Sequence, residues 1–423
     1  MSRQQTKVRI SGLGYVGAAG NCVAELQASL RSGCSAIRPL TPERRPHPQL
    51  QLAALLATDW DWRTTEIARS LDSAKMALAE KLLRGENSPL QADALAVLEA
   101  TAEKTFVPER LGLVVGGSNL AHPMLVTELL RYQRNPAYVN PRLAFQALDT
   151  HVAATLAALV DAQGPVLNVA AAAASAAVAV VSGLDLIRAG RCDQCLVVGA
   201  MQRLSPLDWQ ALAALGALNT STVPSLPFFS DGGGFTPGEG AVCILLERVD
   251  DDGQYGYAEL AGGAFVSAAN PLPDASSGHE IRAMKLALAD AQMMVDAPDL
   301  IVAHATGTAQ GDKAELAAIA AVCANGRQPP WLSTPKAVTG HCLGASGGVG
   351  LLAALLMLQE QCVYPVSTAA TDARLPPTGR FAFGQAIAAP LATVMVNAFG
   401  FGGFNAALMV RNLPANTDNA GRL

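Results

Sequence analysis

The sequence predicts an α/β protein built from two halves with a similar order of elements. Short apolar runs alternate with longer helical segments along the 423 residues, a pattern typical of helices layered on largely parallel sheets. The alternation restarts near residue 250, so 1–250 and 251–423 are predicted to be duplicated halves, although no identity between them is visible residue by residue. Half of the residues are hydrophobic and 15% are charged, so the chain can fill a large core.

Composition argues against several classes of function. The net charge of −5 does not fit a general nucleic-acid binder. The eight cysteines are scattered and no secretory signal opens the chain, so we expect a reduced, cytoplasmic protein. Cys192 and Cys195 have CxxC spacing, but no second pair completes a zinc site, which favours a structural role. The apolar span 167–181 is rich in alanine and too short to cross a membrane, which favours a buried core helix.

The stretch 165–199 organises the first half. It predicts a buried strand at 166–169, a tight turn at 170–175, a long Ala/Val-rich helix ending near 187–190, and a second strand at 195–198. A side chain in such a turn lies at a helix N-terminus, where free N–H groups and the helix dipole favour negative charge. This is a natural position for a thiolate nucleophile, and here it is occupied by alanine.

The first strand, 8–11, leads into a glycine-rich segment at 12–17. Its GxGxxG spacing is that of a dinucleotide-binding turn, but no acidic residue follows about 20 positions later to hold a ribose. We therefore expect a tight strand-to-helix turn in preference to a nucleotide site. The other elements expected in this half are a loop at 36–48, helices at 65–82, 90–102, 124–131, 142–159 and 208–215, strands at 111–117 and 242–246, a glycine-rich loop at 228–240, and a linker or hairpin tip at 248–254.

In the second half, three polar clusters lie on glycine-flanked turns after apolar runs. They are 304–308 (HATGT), 336–341 (KAVTGH) and 399–405 (FGFGGFN). Turns at the carboxyl ends of strands are where α/β proteins collect catalytic groups, and two histidines, a lysine and a Phe/Gly-rich loop together indicate a site. The elements expected around them are strands at 258–267, 300–303, 394–396 and 406–410 and helices at 280–291, 313–324 and 346–358.

These motifs resemble those of the ketoacyl synthases, the condensing enzymes of the thiolase superfamily. The resemblance covers residues 8 to about 410 and includes an HGTGT-type motif at 304–308, followed by Asp312 and Glu315, a K…TGH…GA motif at 336–345, and an NxFGFGGxN motif at 397–405. It implies a thiolase-like duplicated α-β-α-β-α layered fold with two mixed central sheets.

The resemblance also implies a Cys-His-His enzyme that acts on acyl thioesters carried by an acyl carrier protein. The family's cysteine would lie 17 residues before Gly190, at Ala173, and Ser175 is not a natural substitute nucleophile. The usual P-F-D motif is also changed, to PFF at 227–229. Because alanine cannot be acylated, carbon–carbon bond formation is expected to be absent.

Decarboxylation of a malonyl thioester does not need the cysteine sulfur. The implied roles are that His304 and His341 donate hydrogen bonds to the enolate oxygen, Lys336 orients them and Phe401 gates the pocket. One such donor is typically worth about 3 kcal/mol of barrier. The resemblance places the substrate against four further residues: Thr306, Thr308, Phe399 and Asn405.

A closer likeness indicates the same activity. The segments 115–119 (VGGSN), 198–201 (VGAM) and 204–205 (LS) are similar to the decarboxylating ketosynthases of polyketide β-branching cassettes, in which the cysteine is replaced, usually by serine. This likeness implies conversion of malonyl- to acetyl-acyl carrier protein for a partner that resembles hydroxymethylglutaryl synthase.

Two alternatives stay open at this point. One is a non-catalytic subunit, like a chain-length factor, that pairs with an active ketosynthase. The other is an ordinary condensing enzyme whose cysteine was exchanged for alanine in the laboratory.

The resemblance implies a homodimer built on an edge strand, or a heterodimer with a ketosynthase, and no metal, nucleotide or other cofactor beyond the carrier's phosphopantetheine arm. No nucleic-acid or membrane partner is expected. Arg131, Arg134 and Arg203 are candidate contacts for the acidic carrier protein.

Overall fold

The computed structural model describes residues 6–229, 233–249, 256–293, 298–326, 328–367 and 378–413. Its strands are β1 Val8–Gly17, β2 Arg38–Pro39, β3 Leu52–Ala53, β4 Leu111–Gly116, β5 Val166–Val169, β6 Gln194–Gly199, β7 Gly240–Arg248, β8 Ala258–Ser267, β9 Leu300–Val302, β10 Trp331–Ser333, β11 Cys362–Val363, β12 Ile387–Ala388, β13 Thr393–Gly400 and β14 Phe404–Arg411.

The helices alternate with these strands. They are α1 Val23–Ser32, α2 Glu66–Ser70, α3 Ser73–Leu82, α4 Ser88–Ala100, α5 His122–Arg134, α6 Leu143–Gln146, α7 Thr150–Val160, α8 Ser175–Arg188, α9 Pro206–Ala214, α10 Ser277–Asp290, α11 Ala309–Cys323, α12 Lys336–Thr339 and α13 Ser346–Glu360. Short 3-10 turns occur at Pro42–Arg44, Trp62–Thr64, Pro108–Arg110, Pro136–Tyr138, Ala172–Ala174 and Leu343–Ala345.

Ten of the strands hydrogen-bond in one continuous order, which divides into two mixed five-stranded sheets joined at β1 and β8. The order is β10-β9-β13-β14-β8 in one sheet and β5-β4-β6-β7-β1 in the other. Within each sheet the strands therefore run third, second, fourth, fifth and first in chain order, and three parallel strands are followed by two antiparallel ones. Two residue pairs between β1 and β8, Arg9–Glu259 and Ile10–Ala258, join the sheets.

Helices lie on both sides of each sheet. Between the sheets, α8 contacts β4, β6 and β8, and α13 contacts β7, β9 and β13. Outside them, α4 packs on β1 and β7 while α10 packs on β8 and β14. The predicted α/β fold with mixed central sheets is confirmed. The division of the chain at residue 250 falls within 250–255, outside the described residues, and stays a prediction.

The two middle helices are almost wholly apolar because they are covered from both sides. Most of α8 is buried, and every residue of α13 from Ser346 to Leu358 is buried. The segment Leu343–Glu360 is long and apolar enough to cross a membrane, but 83% of it is buried inside the protein. Its hydrophobicity is therefore that of a core helix.

Several predicted boundaries were wrong for identifiable reasons. The helix expected at 65–82 is two helices, because Asp72 accepts the N–H of Lys75 and starts α3 as an N-cap. The helix expected at 142–159 is interrupted at 147–149. Strand β5 was expected to be buried, but it has β4 as its neighbour on one side only and its Val166 and Leu167 are exposed.

The glycine-rich segment 12–17 is neither a turn nor a nucleotide site. It continues strand β1, and the antiparallel pairing with β7 runs on to Gly17. A Cβ atom on Gly12 would lie 2.1 Å from the carbonyl oxygen of Ala100, and one on Gly14 would lie 1.8 Å from that of Ala96. These glycines therefore allow the backbone of α4 to lie directly on the strand.

We predict that Gly14→Ala lowers the free energy of unfolding by about 3 kcal/mol or more, because the added methyl group would overlap the backbone of α4, which cannot move alone. The matched control is Gly278→Ala, where the nearest atom to an added Cβ, the Ser276 hydroxyl, is 3.9 Å away. Chemical denaturation of both variants checks this expectation. Equal stabilities of the two variants would contradict the close packing of α4 on β1.

Candidate active site

One cavity of about 630 Å³ opens beside the ends of the two middle helices. Eight of the nine predicted site residues line it, and the ninth, Lys336, lies behind its wall. The eight are Ala173, His304, Thr306, Thr308, His341, Phe399, Phe401 and Asn405. Residues from both halves of the chain therefore converge on one space.

A serine, Ser175, holds the turn that precedes α8 through hydrogen bonds to its backbone. The Ser175 hydroxyl accepts the N–H of Ala171 at 2.9 Å and donates to the carbonyl of Ala172 at 2.7 Å. Ala172 adopts the left-handed region with φ of 48°, which turns the chain sharply. Ala173, the next residue, faces the cavity with a methyl group. The Ser175 side chain is buried, and its hydroxyl also lies 3.4 Å from that of Ser118, which lines the cavity.

A carboxylate on α11 fixes the backbone at His304. Glu315 accepts the N–H groups of His304 and Ala305 at 2.8 and 2.6 Å and the side-chain amide of Asn397 at 3.0 Å. Ala305 has φ of 30°, a strained value for a residue with a Cβ atom. The hydrogen bonds to Glu315 hold this strained turn and direct the His304 ring.

Asp312, one turn earlier on α11, fixes the rest of the same loop. It accepts the N–H groups of Thr306 and Gly307, each at 3.0 Å, and that of Phe228 at 2.7 Å. The spacing of three residues places Asp312 and Glu315 on one face of the helix. The two acids downstream of the HATGT motif thus support its backbone, and of the two only Glu315 also lines the cavity.

The hydrogen bonds of His341 determine its tautomer. Its Nδ1 accepts the backbone N–H of Leu343 at 3.1 Å and lies 2.7 Å from the Ser346 hydroxyl. An amide N–H can only donate, so Nδ1 carries no proton and the neutral ring is protonated at Nε2. The His341 ring is 5.7 Å from that of His304, at an angle of 85°.

Both imidazoles are neutral. Burial, the ammonium group of Lys336 and the neighbouring His341 hold the pKa of His304 well below its usual range. Burial and Lys336 do the same for the pKa of His341. The Nδ1 atom of His304 has no hydrogen-bond partner among the described residues. Two neutral rings that each carry one N–H donor can stabilise an oxyanion in the cavity that they line.

Lys336 lies behind the cavity wall and contacts the loop that carries His304. Its Nζ donates to the carbonyl of His304, and burial lowers its pKa to about 8, opposed by Glu315 and Asp312. A buried ammonium next to two imidazoles keeps them unprotonated and braces the loop that carries one of them.

The Phe/Gly-rich loop closes one side of the cavity. The Phe399 ring packs 5.7 Å from that of His304, whereas the Phe401 side chain is 43% exposed. Gly402 and Gly403 have φ of 81° and 77°, and the side-chain amide of Asn405 donates to the Gly403 carbonyl at 3.0 Å. Phe401 therefore sits at the tip of a tight turn that is braced at its base.

Models of two domains of one known family match most of the chain. The β-ketoacyl synthase N-terminal domain matches residues 5–252, and the β-ketoacyl synthase C-terminal domain matches residues 257–369. The chain belongs to the β-ketoacyl synthase family. The predicted thiolase-like fold is confirmed with it.

Its relatives in this family have different activities. The polyketide biosynthesis malonyl-ACP decarboxylase PksF of Bacillus subtilis is 27% identical over 419 residues, which cover 96% of this chain and 97% of the relative. The 3-oxoacyl-[acyl-carrier-protein] synthase 1 of Escherichia coli is 29% identical over 425 residues, covering 96% and 98%. Among solved structures, the ishigamide ketosynthase/chain length factor is similar with a TM-score of 0.81 and 25% identity, covering 97% and 100%.

Glu280 is a cavity residue of this ketosynthase that sequence reasoning missed. It lies on α10, is 1% exposed, and its Oε2 has no hydrogen-bond partner among the described residues. Burial and the nearby Glu315 carboxylate raise the pKa of Glu280 to about 8. The sequence did contain a signal for this residue. Glu280 lies at helical spacing from Ala283, Met284 and Ala287 on the buried face of α10, where an apolar residue is expected.

The three candidate arginines lie outside the cavity lining. Arg203 is paired with Glu239 at 2.9 Å, and Arg131 with Glu128 at 2.6 Å. Arg134 is exposed near the end of α5.

Cys192 and Cys195 are both buried free thiols. Within the described ranges, no group of three or more His, Cys, Asp or Glu side chains is placed to hold a metal ion.

We predict a pH-dependent difference in stability between the native protein and Glu280→Gln. The carboxyl loses its proton near its ordinary value of 4.5 in the unfolded chain but at about 8 in the folded protein. Folding therefore takes up a proton in this window, and the native protein loses at most about 1.4 kcal/mol per pH unit as pH rises through it. Glutamine does not titrate, so the stability of Glu280→Gln relative to native should rise between pH 4.5 and 8 and be constant outside this range.

Chemical denaturation across this pH range measures the difference. The control is Glu80→Gln, which removes an exposed carboxylate outside the cavity. If the Glu280→Gln curve runs parallel to the native curve, then Glu280 titrates normally in the folded state.

Proposed function

We propose that this ketosynthase decarboxylates a malonyl thioester carried on an acyl carrier protein and yields the acetyl thioester, as a step in polyketide β-branching. The observation that carries the proposal is a pair of neutral imidazoles, 5.7 Å apart, on a cavity whose expected nucleophile position is a methyl group. The donors needed for decarboxylation are present, and the group needed for acyl transfer is not.

The reaction follows from this arrangement. The thioester carbonyl oxygen lies between His341 Nε2–H and the His304 ring, and the malonyl carboxylate leaves as carbon dioxide. Electrons of the breaking bond delocalise onto the carbonyl oxygen, where the two N–H donors meet the developing negative charge. Because both rings are already neutral and oriented, little reorganisation is needed in the transition state.

Two helix N-termini add to this stabilisation. Helix α8 begins at Ser175 and α13 begins at Ser346, and the residues just before them, Ala173 and Leu343, line the cavity. The positive ends of both helix dipoles therefore favour an anion there. Phe399 and Phe401 reduce contact with water, which strengthens these interactions and disfavours the ionised carboxylate.

The relatives support an acyl-carrier substrate and differ on the reaction. PksF is named a malonyl-ACP decarboxylase, whereas the E. coli protein is named a 3-oxoacyl synthase. The alanine at 173 favours the first activity for this chain, because condensation by an ordinary ketosynthase requires a covalent acyl intermediate.

We further propose that the protein is a homodimer that pairs through strand β5. This strand has a neighbour on one side only, and Val166 and Leu167 are 38% and 41% exposed along it. Exposed apolar side chains on an open sheet edge are unfavourable in an isolated monomer. A heterodimer with a cysteine-bearing ketosynthase would use the same edge.

The second candidate function is that of a chain-length-factor-like subunit. The similarity to the ishigamide ketosynthase/chain length factor and the open edge of β5 favour it. A purely structural subunit has no need for the His304–His341–Lys336 arrangement, so we place it second.

We predict that the purified protein converts malonyl- to acetyl-acyl carrier protein and that His304→Ala and His341→Ala each slow the reaction about 10²- to 10³-fold, because each removes one oxyanion donor. Mass spectrometry of the carrier protein measures the loss of carbon dioxide. The control is His47→Gln, which alters a buried histidine that contacts Gln210 outside the cavity and should keep native activity. Native turnover no faster than background, with activity appearing only when a second ketosynthase is added, favours the subunit.

We predict that Ala173→Cys creates a reactive thiol, because the side chain faces the cavity at a helix N-terminus that favours the thiolate. The variant should be alkylated by iodoacetamide and acylated by acyl-carrier protein, as seen by mass. The neighbouring Ala174 is fully buried, so Ala174→Cys is the unreactive control. Alkylation of Ala174→Cys but not of Ala173→Cys would show that residue 173 is not the nucleophile position. Full condensing activity of Ala173→Cys would favour an ordinary synthase that has lost its cysteine.

A further inference from the structure

Decarboxylation in this site requires a proton donor for the product, which condensation does not require. Loss of carbon dioxide leaves an enolate with its electron pair at C2 of the acyl group. In a condensing enzyme that carbon attacks an acyl-cysteine, but residue 173 carries no acyl group here. The balanced reaction is malonyl thioester plus one proton giving acetyl thioester and carbon dioxide, so a proton must reach C2. The inference below rests on the proposed decarboxylase function.

The cavity lining in the described part of the chain contains six titratable side chains that could supply this proton. They are Asp208, Asp274, Glu280, His304, Glu315 and His341. The two histidines are neutral and their N–H donors are needed at the thioester oxygen, so they are poor acids for C2.

Three of the four carboxyls are also unsuitable. Glu315 accepts three hydrogen bonds, which are best satisfied by the ionised form. Although burial opposes it, hydrogen bonds from Ser205 and His122 hold the pKa of Asp208 below its usual range. Asp274 is exposed to solvent. These three groups are therefore engaged elsewhere or too hydrated to serve as a buried acid.

Glu280 differs from these three carboxyls in being both buried and, within the described ranges, without a hydrogen-bond donor at Oε2. It is 1% exposed and lines the cavity from α10, and its Oε2 has neither a donor nor a cation among the described residues. Its electrostatic neighbour is Glu315, which carries the hydrogen bonds of the pair. When two carboxyls share a site and only one has donors, the proton stays on the other.

A structural role does not account for this residue. A buried carboxyl without a partner destabilises the fold, and no ion pair or hydrogen bond of Glu280 offsets that cost within the described residues. The surrounding face of α10 is made of Ala283, Met284 and Ala287, with which an apolar side chain would pack well. Unfavourable buried acids of this kind are typical of catalytic sites.

We propose that Glu280 is the general acid that protonates C2 of the enolate, directly or through one water molecule. The O–H bond of the Glu280 carboxyl breaks as the C2–H bond forms from the enolate electron pair, and the thioester carbonyl is restored. Glu280 is left as a carboxylate and regains its proton from solvent through the cavity. By microscopic reversibility, the Glu280 carboxylate removes a proton from the methyl group of the acetyl thioester, with His304 and His341 again holding the oxygen.

The reverse proton transfer provides a test that does not depend on decarboxylation. Acetyl-acyl carrier protein is incubated with the protein in D₂O, and deuterium in the acetyl group is followed by mass. We expect exchange with the native protein and a loss of about 10²-fold or more in Glu280→Gln, which keeps the shape but has no transferable carboxyl proton. The control is Asp185→Asn, an exposed carboxyl on α8 outside the cavity, which should exchange at the native rate. Thermal melting confirms that both variants are folded.

The outcomes separate this inference from the proposed function. Exchange that is absent in the native protein, or equally fast in Glu280→Gln, overturns the role of Glu280, whatever the decarboxylation rate. Exchange that depends on Glu280 without any release of carbon dioxide from malonyl-carrier protein supports Glu280 as the acid–base group at C2 and contradicts the decarboxylase. Release of carbon dioxide together with Glu280-dependent exchange supports both.

Discussion

The carboxylate of Glu315 is the contact on which the site depends. It lies 1% exposed on α11 and binds the backbone after β9, through His304 and Ala305, and the side chain of Asn397 on β13. A single buried group thus ties one helix and two neighbouring strands together at the end of the sheet where the imidazole is presented. Its charge is balanced by the Lys336 ammonium, which also bonds the carbonyl of His304. The same charge acts on Glu280, so the group that fixes the backbone of His304 also raises the pKa of a second carboxyl in the cavity lining.

The duplication of the chain explains how both halves reach this cavity. In each half a 3-10 turn leads into a middle helix: Ala172–Ala174 precedes α8, and Leu343–Ala345 precedes α13. The first residues of these turns have φ of 48° and 49°, and a serine begins each helix. Ala173 therefore corresponds to Gly344 in the other half. The repeated backbone places two helix N-termini beside each other, and only the side chains decide what chemistry each end supports.

The framework of this turn does not depend on which side chain residue 173 carries. Ser175 closes the turn with two backbone hydrogen bonds whether residue 173 is cysteine or alanine, and a Cβ on Gly400 would meet the Ala171 carbonyl at 2.6 Å. The turn is therefore held by contacts that do not involve the side chain of residue 173. The hydrogen bonds that orient His304 and His341 do not involve residue 173 either.

The sequence by itself determined the α/β class, the organising strand-turn-helix and the three polar loops, because these depend on local periodicity, turn residues and short motifs that a few neighbouring residues specify. Only the tertiary structure decided that 12–17 is a strand under a helix, that β5 is an exposed edge, that His341 is protonated at Nε2 and that Glu280 faces the cavity. Three of these depend on groups that are far apart in the sequence: the carbonyls of α4 meet Gly12 and Gly14 of β1, β5 has no second neighbouring strand among the described residues, and the Glu315 carboxylate on α11 acts on Glu280. The tautomer of His341 instead depends on a local turn that brings the Leu343 N–H to its Nδ1. Contacts of this kind are set by how the helices pack on the sheets. They decide the protonation states on which the chemistry depends.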